Sequence, residues 1–158
     1  MQSSENMTAV LVKHVMITKV VTLFEEQTLA LAEDVMRFKK VRHVPVIDEL
    51  RRLVGLVTHR DLLRAQISPL TGLSDDDRRA RHEEIRLREV MTRDVWTVRA
   101  DTLASIAGTT MLDHGHGCLP VVDGTHRLIG IVTAHDLLRV AVKTLRMHDT
   151  RTDYLLAG

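Results

Sequence analysis

The sequence predicts an α/β (α+β) fold: two tandem β-α-β-β-α repeats packed sheet to sheet about a pseudo-twofold axis. Three observations predict it. First, Gly55-Leu56-Val57-Thr58-His59-Arg60-Asp61-Leu62-Leu63-Arg64 recurs as Gly130-Ile131-Val132-Thr133-Ala134-His135-Asp136-Leu137-Leu138-Arg139, identical at seven of ten positions. Each copy reads as a short apolar strand, a tight turn at Thr, and a helix whose first turn holds an Asp. Second, Val15-Met16 and Val90-Met91, and then Val44-Pro45-Val46-Ile47-Asp48 and Leu119-Pro120-Val121-Val122-Asp123, repeat at the same separation of 75 residues. Third, there are two copies. One such unit is too small to bury both faces of its sheet, and open arrays need at least three, so two copies favour a closed pair.

The bulk properties agree. A chain of 158 residues fits one compact unit, and 44% apolar residues suffice for a core built of Val, Leu, Ile, Ala and Met, aromatics being only 3%. With 22 basic and 21 acidic residues and no basic tail, nothing implies a nucleic-acid partner. The one cysteine, Cys118, excludes an internal disulfide and suits a reducing compartment. No signal peptide or membrane-length apolar run is visible, which predicts a soluble cytoplasmic protein without membrane contact.

In chain order, residues 1–14 form a lead-in with a polar start, and the first repeat spans 15–66. Val20-Val21-Thr22-Leu23 reads as a strand, rich in β-branched residues. Residues 28–39 read as a helix with Leu29, Ala32, Val35 and Met36 inward. Val44 to Asp48 and Leu53 to Val57 form a hairpin across residues 49–52, with the proline at a strand start or edge. Ser68-Pro69 ends the last helix of the repeat. The second repeat, 87–143, predicts a strand at Val95-Trp96-Thr97-Val98. A helix follows with Leu103, Ile106, Ala107, Thr110 and Met111 on one face, Asp101 or Thr102 as its cap and Gly115 or Gly117 as its stop. A second hairpin crosses the Asp123-Gly124 turn. The helix from Asp136 continues with an apolar face to about Met147, into a tail at 144–158.

The linker, 67–86, reads as a solvated charged helix. Ser74 with Asp77 resembles a capping box. Opposite charges fall at i, i+4 as Asp75 with Arg79, Asp77 with Arg81 and Glu84 with Arg88, each pair worth about 0.2–0.5 kcal/mol.

The recurring order of Val-Met, strand, helix, Pro-Val-x-Asp and Gly-x-Val-Thr-x-x-Asp-Leu-Leu resembles the cystathionine beta-synthase (CBS) domain, over roughly residues 12–66 and 87–143. Two in tandem are called a Bateman module. The resemblance implies binding of an adenosine-containing ligand (AMP, ADP, ATP or S-adenosylmethionine) in clefts between the domains, as a regulatory ligand rather than a required cofactor. It also implies a homodimer, and regulation of an enzyme, channel or transporter. Since no catalytic or membrane domain accompanies the pair, a separate and unknown protein partner is expected. By resemblance, Val20 and Pro45 wall one site and Val95 and Pro120 the other.

The motif has chemistry of its own. A helix N-terminus presents unpaired N–H groups and the positive end of the dipole, which favours a phosphate. Thr58 and Thr133 add a hydroxyl donor. Asp61 and Asp136 can each accept from both hydroxyls of a ribose cis-diol. The same atoms also make a capping box with Asp in place of Glu, which stabilises the helix by about 0.5–2 kcal/mol without ligand. Both readings stand at this point. The copies differ in cations: Arg60, with His59, in the first, against His135 and Ala134 in the second. Arg is always charged and His is largely neutral near pH 7. The first site is therefore expected to prefer multiply charged phosphates, and the second to gain on acidification.

Other signals weigh less. His114, His116 and Cys118 are ligand-type residues but lack the paired spacing of a zinc site. Arg42-His43 points either toward the cleft or into solvent. The methionines read as core. There is no glycine-rich nucleotide loop and no nucleophile elbow, so no enzyme is predicted. The reading is a regulatory adenine-nucleotide sensor. Its alternatives are a ligand-independent dimerisation or interaction module and, more weakly, a metal- or redox-linked protein using His114, His116 and Cys118.

Overall fold

The structure, a computed structural model, describes residues 9–67, 72 and 74–156. The polar start of the lead-in and the helix-ending Ser68-Pro69 lie outside the described residues. After a single 3-10 turn at Val12–His14 come β1 (Leu23–Phe24), α1 (Leu29–Lys39), β2 (His43–Ile47), β3 (Leu53–Thr58) and α2 (His59–Ile67). The linker holds α3 (Asp75–Glu84). Then follow α4 (Leu87–Val90), α5 (Ala104–His114), β4 (Cys118–Val122), β5 (Leu128–Thr133) and α6 (Ala134–Leu156). The strands form a sheet in the order β1-β2-β3 and a hairpin β4-β5.

The two hairpins are copies down to their registers, Pro45 opposite Leu56 and Pro120 opposite Ile131. Their turns have a shared cause. Asp48 Oδ1 accepts from the N–H groups of Leu50 and Arg52 at 2.9 and 2.8 Å. Asp123 Oδ1 accepts from those of Thr125 and Arg127 at 2.8 and 3.0 Å. The Asp of the Pro-Val-x-Asp element is thus a turn former. The Thr125 hydroxyl, with the same backbone donors, holds the Asp123 carboxyl below the usual carboxylate range.

The halves meet sheet to sheet. Ile47, Leu53, Val122 and Leu128 form a buried cluster across the interface, with Val20 and Val95 against its rim. The turns pair there too, Leu53 N–H to His126 O at 3.1 Å and Leu128 N–H to Arg51 O at 2.9 Å.

The repeats also exchange their leading segments. Ile17 exchanges backbone hydrogen bonds with Ile131 at 2.8 and 2.9 Å, and Thr92 does so with Leu56 at 2.9 and 3.0 Å. Each opening segment therefore edges the sheet of the other repeat. Its apolar side chains follow. Leu87 and Met91 are buried in the core of β2, β3 and α1, whereas Val12 and Met16 pack with β4, β5 and α5. Because Leu56 and Ile131 bond outward, the Pro45–Leu56 and Pro120–Ile131 pairs are the non-hydrogen-bonded pairs of their ladders. A missing N–H costs those ladders nothing. The prolines thus sit mid-strand and fully buried, Pro45 on the central strand β2 and Pro120 on β4 of the two-stranded sheet, and neither starts its strand.

Several elements depart from expectation. The first strand shrinks to Leu23–Phe24, paired in parallel with Val46 and Ile47. The expected strand at 95–98 reduces to one parallel bridge, Val98 to Val121, because the preceding residues are drawn across to Leu56. Thr28 caps α1, accepting from Leu31 N–H at 3.2 Å. Neither Asp101 nor Thr102 caps α5: its N-cap is Leu103, the Ala104 N–H goes to Val10 O at 2.8 Å, and the Thr102 hydroxyl oxygen accepts from Arg99 N–H. Gly115, in the left-handed region at φ 66°, ends α5 as expected. The inward face of α5 is Ala104, Ala107 and Met111, and Leu103 and Ile106 are exposed. The linker capping box forms, the Ser74 hydroxyl donating to Asp77 at 2.7 Å. However, α3 is docked, not free. Arg79 binds Asp34 of α1 through two hydrogen bonds of 2.9 and 2.8 Å. This holds the Asp34 carboxyl below its usual range. Buried His82 meets Glu33 at 3.0 Å. Arg79 also pairs with Glu83, Arg78 with Asp75, and Arg81 with Glu84, in place of the three expected pairs. Met147, read as core, is exposed.

Candidate functional site

Strand β3 runs straight into α2, and the turn between them is closed by the motif itself. Asp61 Oδ2 accepts from the Thr58 N–H at 2.7 Å and from its hydroxyl at 2.8 Å. The second copy repeats this, Asp136 Oδ2 accepting from Thr133 at 2.9 and 2.6 Å, and Asp136 N–H donates back to the Thr133 hydroxyl oxygen at 3.3 Å. The capping box of the sequence reading is therefore real. It uses one carboxylate oxygen in each copy. Asp61 Oδ1 faces only Arg64, at 3.9 Å. The Thr58 hydroxyl proton is spent on Asp61, which leaves the threonine oxygen as an acceptor and the other Asp oxygen for an incoming hydroxyl.

Thr58 and Asp61 stand in a cleft of about 520 Å³, a size typical of small-molecule sites. Because of the exchanged segments, both repeats line it. The first contributes Arg42, His43, Arg60 and Arg64, and the second Thr92, Asp94, Val95 and Trp96 with the Gly115–Cys118 stretch. The structure thus gathers Thr58, Arg60, Asp61 and Val95 in one place and brings Arg42 and His43 to its wall. It keeps Pro45 and Pro120 away from that wall, closed in the core, and seats Val20 beside the interface cluster. The apolar wall is Leu56, Val95 and Trp96 instead. Thr133, His135 and Asp136 form the corresponding turn of the second copy, at the start of α6.

A ring pair at the edge of this cleft, Trp96 on its wall and His114 beside it, escaped the sequence reading. Trp96 is 51% exposed, and the His114 ring lies 4.2 Å from it, tilted by 31°. His116 stands 6.0 Å from Trp96 on the same wall. The histidines therefore make an aromatic surface with Trp96, not a ligand set with Cys118. No group of three or more His, Cys, Asp or Glu among the described residues is placed to hold a metal ion. Burial pushes the Cys118 thiol up to about 12. The thiolate is the reactive form, so native protein at pH 8 should react with a thiol reagent only as fast as it unfolds, and promptly in denaturant. Prompt labelling of folded protein would contradict this.

His43 sits close against Gly117, where a Cβ would lie 2.8 Å from its Nε2. Burial first, then the charges of Arg42 and Arg60, lower its pKa. A histidine depressed in the folded state takes up its proton in the unfolded chain first. Its contribution to stability is therefore present above the unfolded pKa of about 6.5 and lost as pH falls below it. His43→Gln should flatten the stability loss on acidification from pH 7 to 5, as read by urea unfolding at each pH.

Among the described residues no helix is long and apolar enough to cross a membrane. The architecture is that of a paired-repeat module with a ligand-sized cleft between its halves. Comparison with known proteins agrees: the CBS domain model matches at residues 12–68 and again at 87–143, and the chain belongs to the CBS domain family. A CBS domain-containing protein of Dictyostelium discoideum is 32% identical over 136 residues, 86% of this chain and 94% of that one. The crystal structure of the CBS domain pair of protein MJ0100, in complex with 5′-methylthioadenosine and S-adenosyl-L-methionine, superposes with a TM-score of 0.72 at 25% identity, covering 86% of this chain and 98% of the other. That of CBSX2 in complex with AMP gives 0.72 at 26%, covering 85% and 98%. Other relatives are longer enzymes. The homoserine O-acetyltransferase of Methanococcoides burtonii is 34% identical over 129 residues, 82% of this chain and 24% of its own length.

Proposed function

We propose that the chain is a regulatory module that binds an adenosine nucleotide in the Thr58/Asp61 cleft and signals, as a homodimer, to a separate protein. The observation that carries this is the cleft itself. A carboxylate oxygen of Asp61 outside the Thr58 bonds and facing Arg64, a helix N-terminus, three arginines and an apolar wall from the opposite repeat converge on a space of about 520 Å³. Such a set accepts a ribose diol, a phosphate and a flat base at once. Similar CBS pairs crystallised with AMP or with 5′-methylthioadenosine and S-adenosyl-L-methionine support it. Because the site is lined by both repeats, a ligand there changes their relative packing, which is the differential contact regulation needs. The long helix α6 carries exposed Leu138, Val142 and Leu145 and suits a dimer contact. Equilibrium dialysis with AMP, ADP, ATP and S-adenosylmethionine, paired with light scattering for mass, tests both parts. Saturable binding to a dimer is expected. No binding by any of the four at millimolar concentration would reject the sensor reading.

A second reading has its own observation. Asp accepts from the Thr N–H and hydroxyl without ligand in both copies, and the second copy adds the return bond from Asp136 N–H. In an interaction module its role would end at capping helices, and no ligand would bind.

A further inference from the structure

We infer that the first cleft continues into a cationic tract that selects a polyphosphate chain, so that its ligand is a nucleoside triphosphate or longer rather than a monophosphate. This deepens the proposed function and rests on it for the adenosine part. A second cavity of about 480 Å³ lies between the end of α1 and the start of α2. It shares Arg42 and His59 with the cleft and adds Arg37 and Lys40. Arg60 and Arg64 flank the near end. Five permanently charged cations thus line two neighbouring cavities that share Arg42 and His59 in their walls. The facing acids are fewer: Asp61 and Asp94 in the cleft and Glu33 at the far end, where Glu33 is engaged by His82. Arg37 is partly neutralised by Asp34 at 3.0 Å, but Asp34 is itself bound by Arg79.

The internal repeat supplies the control. At the positions 75 residues on, Arg37, Lys40 and Arg42 become Leu112, Gly115 and Gly117, and His59 and Arg60 become Ala134 and His135. Only Arg64 keeps its charge, as Arg139. The same backbone in the second repeat therefore carries no such tract, and Leu112 is 85% exposed. The second repeat's cavity-lining cations, Arg139, Lys143 and Arg146, stand instead along α6. Lys40 also holds a left-handed backbone, φ 54°, where its counterpart is the glycine that conformation favours. A side chain is kept there against the local preference.

The test uses the full chain and calorimetric titration with AMP, ADP, ATP and inorganic tripolyphosphate at fixed ionic strength. The variant is Lys40→Gly with Arg42→Gly, which installs the residues the second repeat already folds with. Wild type should bind ATP about tenfold more tightly than AMP, the order that one charge-assisted hydrogen bond supplies. The variant should lose most of that ratio and should not bind tripolyphosphate. Equal wild-type affinity for AMP and ATP, or a ratio the variant preserves, would overturn the tract and leave the adenosine reading standing. Tripolyphosphate binding that adenosine does not improve would instead reject the adenosine reading and keep the tract. Absence of binding by all four would overturn both.

Discussion

Asp61→Ala is expected to abolish the thermal stabilisation that adenine nucleotide binding in the proposed cleft would give the wild-type chain. A ligand at 100 times its dissociation constant adds about 2.7 kcal/mol to the folded state. For a chain of this length, each kcal/mol moves the midpoint by about 2–4 °C. The wild type should therefore rise by about 5–11 °C. The variant removes the acceptor of both the Thr58 N–H and its hydroxyl. That loss alone costs about 0.5–2 kcal/mol without ligand. It also removes the oxygen available to a ribose diol, so the rise disappears. The two contributions separate in one experiment: the drop without ligand reports the cap, and the missing rise reports the site. An interaction module would show the drop and no rise in either protein. Asp136→Ala serves as the internal comparison, since it breaks the same box at 2.9 and 2.6 Å in the second copy.

Gly130→Ala destabilises the chain more than Gly55→Ala, although the two glycines occupy the same place in the two repeats. A Cβ at Gly55 would overlap Met91 Sδ and lie 2.9 Å from its Cγ. One at Gly130 would meet Met16 Sδ at 2.7 Å and also the Ile17 carbonyl oxygen at 3.1 Å. A methionine side chain is flexible and can move. The Ile17 carbonyl is held by the Ile131 N–H at 2.9 Å, so the exchanged segment must shift with it. Overpacking of this kind costs about 1–3 kcal/mol. The expected pattern is therefore asymmetric. Shortening Met91 to Ala in the Gly55→Ala background restores part of the stability, a coupling measurable by a double-mutant cycle. Shortening Met16 in the Gly130→Ala background does not. Additive behaviour in the first cycle would mean that Gly55 and Met91 do not share space, against the packing described.

What was legible in the sequence was local. The hairpins, the long helices, the Gly115 stop and the Thr-x-x-Asp turns each arise from interactions within a few residues, and the spacing of side chains records them. The exchange of leading segments was not legible. Val12 and Met16 would show the same apolar pattern whether they packed on their own repeat or on the other. The clue lay in pairing Val-Met with Gly at a constant separation, since each methionine occupies the side-chain space that the other repeat's glycine leaves. The cleft lining followed from that exchange: Thr92, Asp94 and Trp96 come to Thr58 only because their segment crosses to Leu56. In α5 the inward face keeps Ala107 and Met111 of the sequence reading but takes Ala104 in place of Leu103 and Ile106. Small Ala104 and Ala107 let the helix lie close to its sheet and turn Leu103 and Ile106 outward. Periodicity placed Ala107 and Met111 but took Leu103 and Ile106 for their size and passed over Ala104. The linker helix looked solvated because its charges alternate, yet Arg79 and His82 find their partners on α1, far away in sequence.

Trp96 offers the most direct test of nucleotide binding between the repeats. It is the single tryptophan of the chain and stands half exposed on the wall of the Thr58/Asp61 cleft. Its fluorescence, excited at the red edge of the band where adenine does not absorb, should change saturably as ATP is titrated into the protein. The change should vanish in Asp61→Ala and persist in Asp136→Ala. A flat titration in wild-type protein, or a response that Asp61→Ala leaves intact, would contradict nucleotide binding in this cleft.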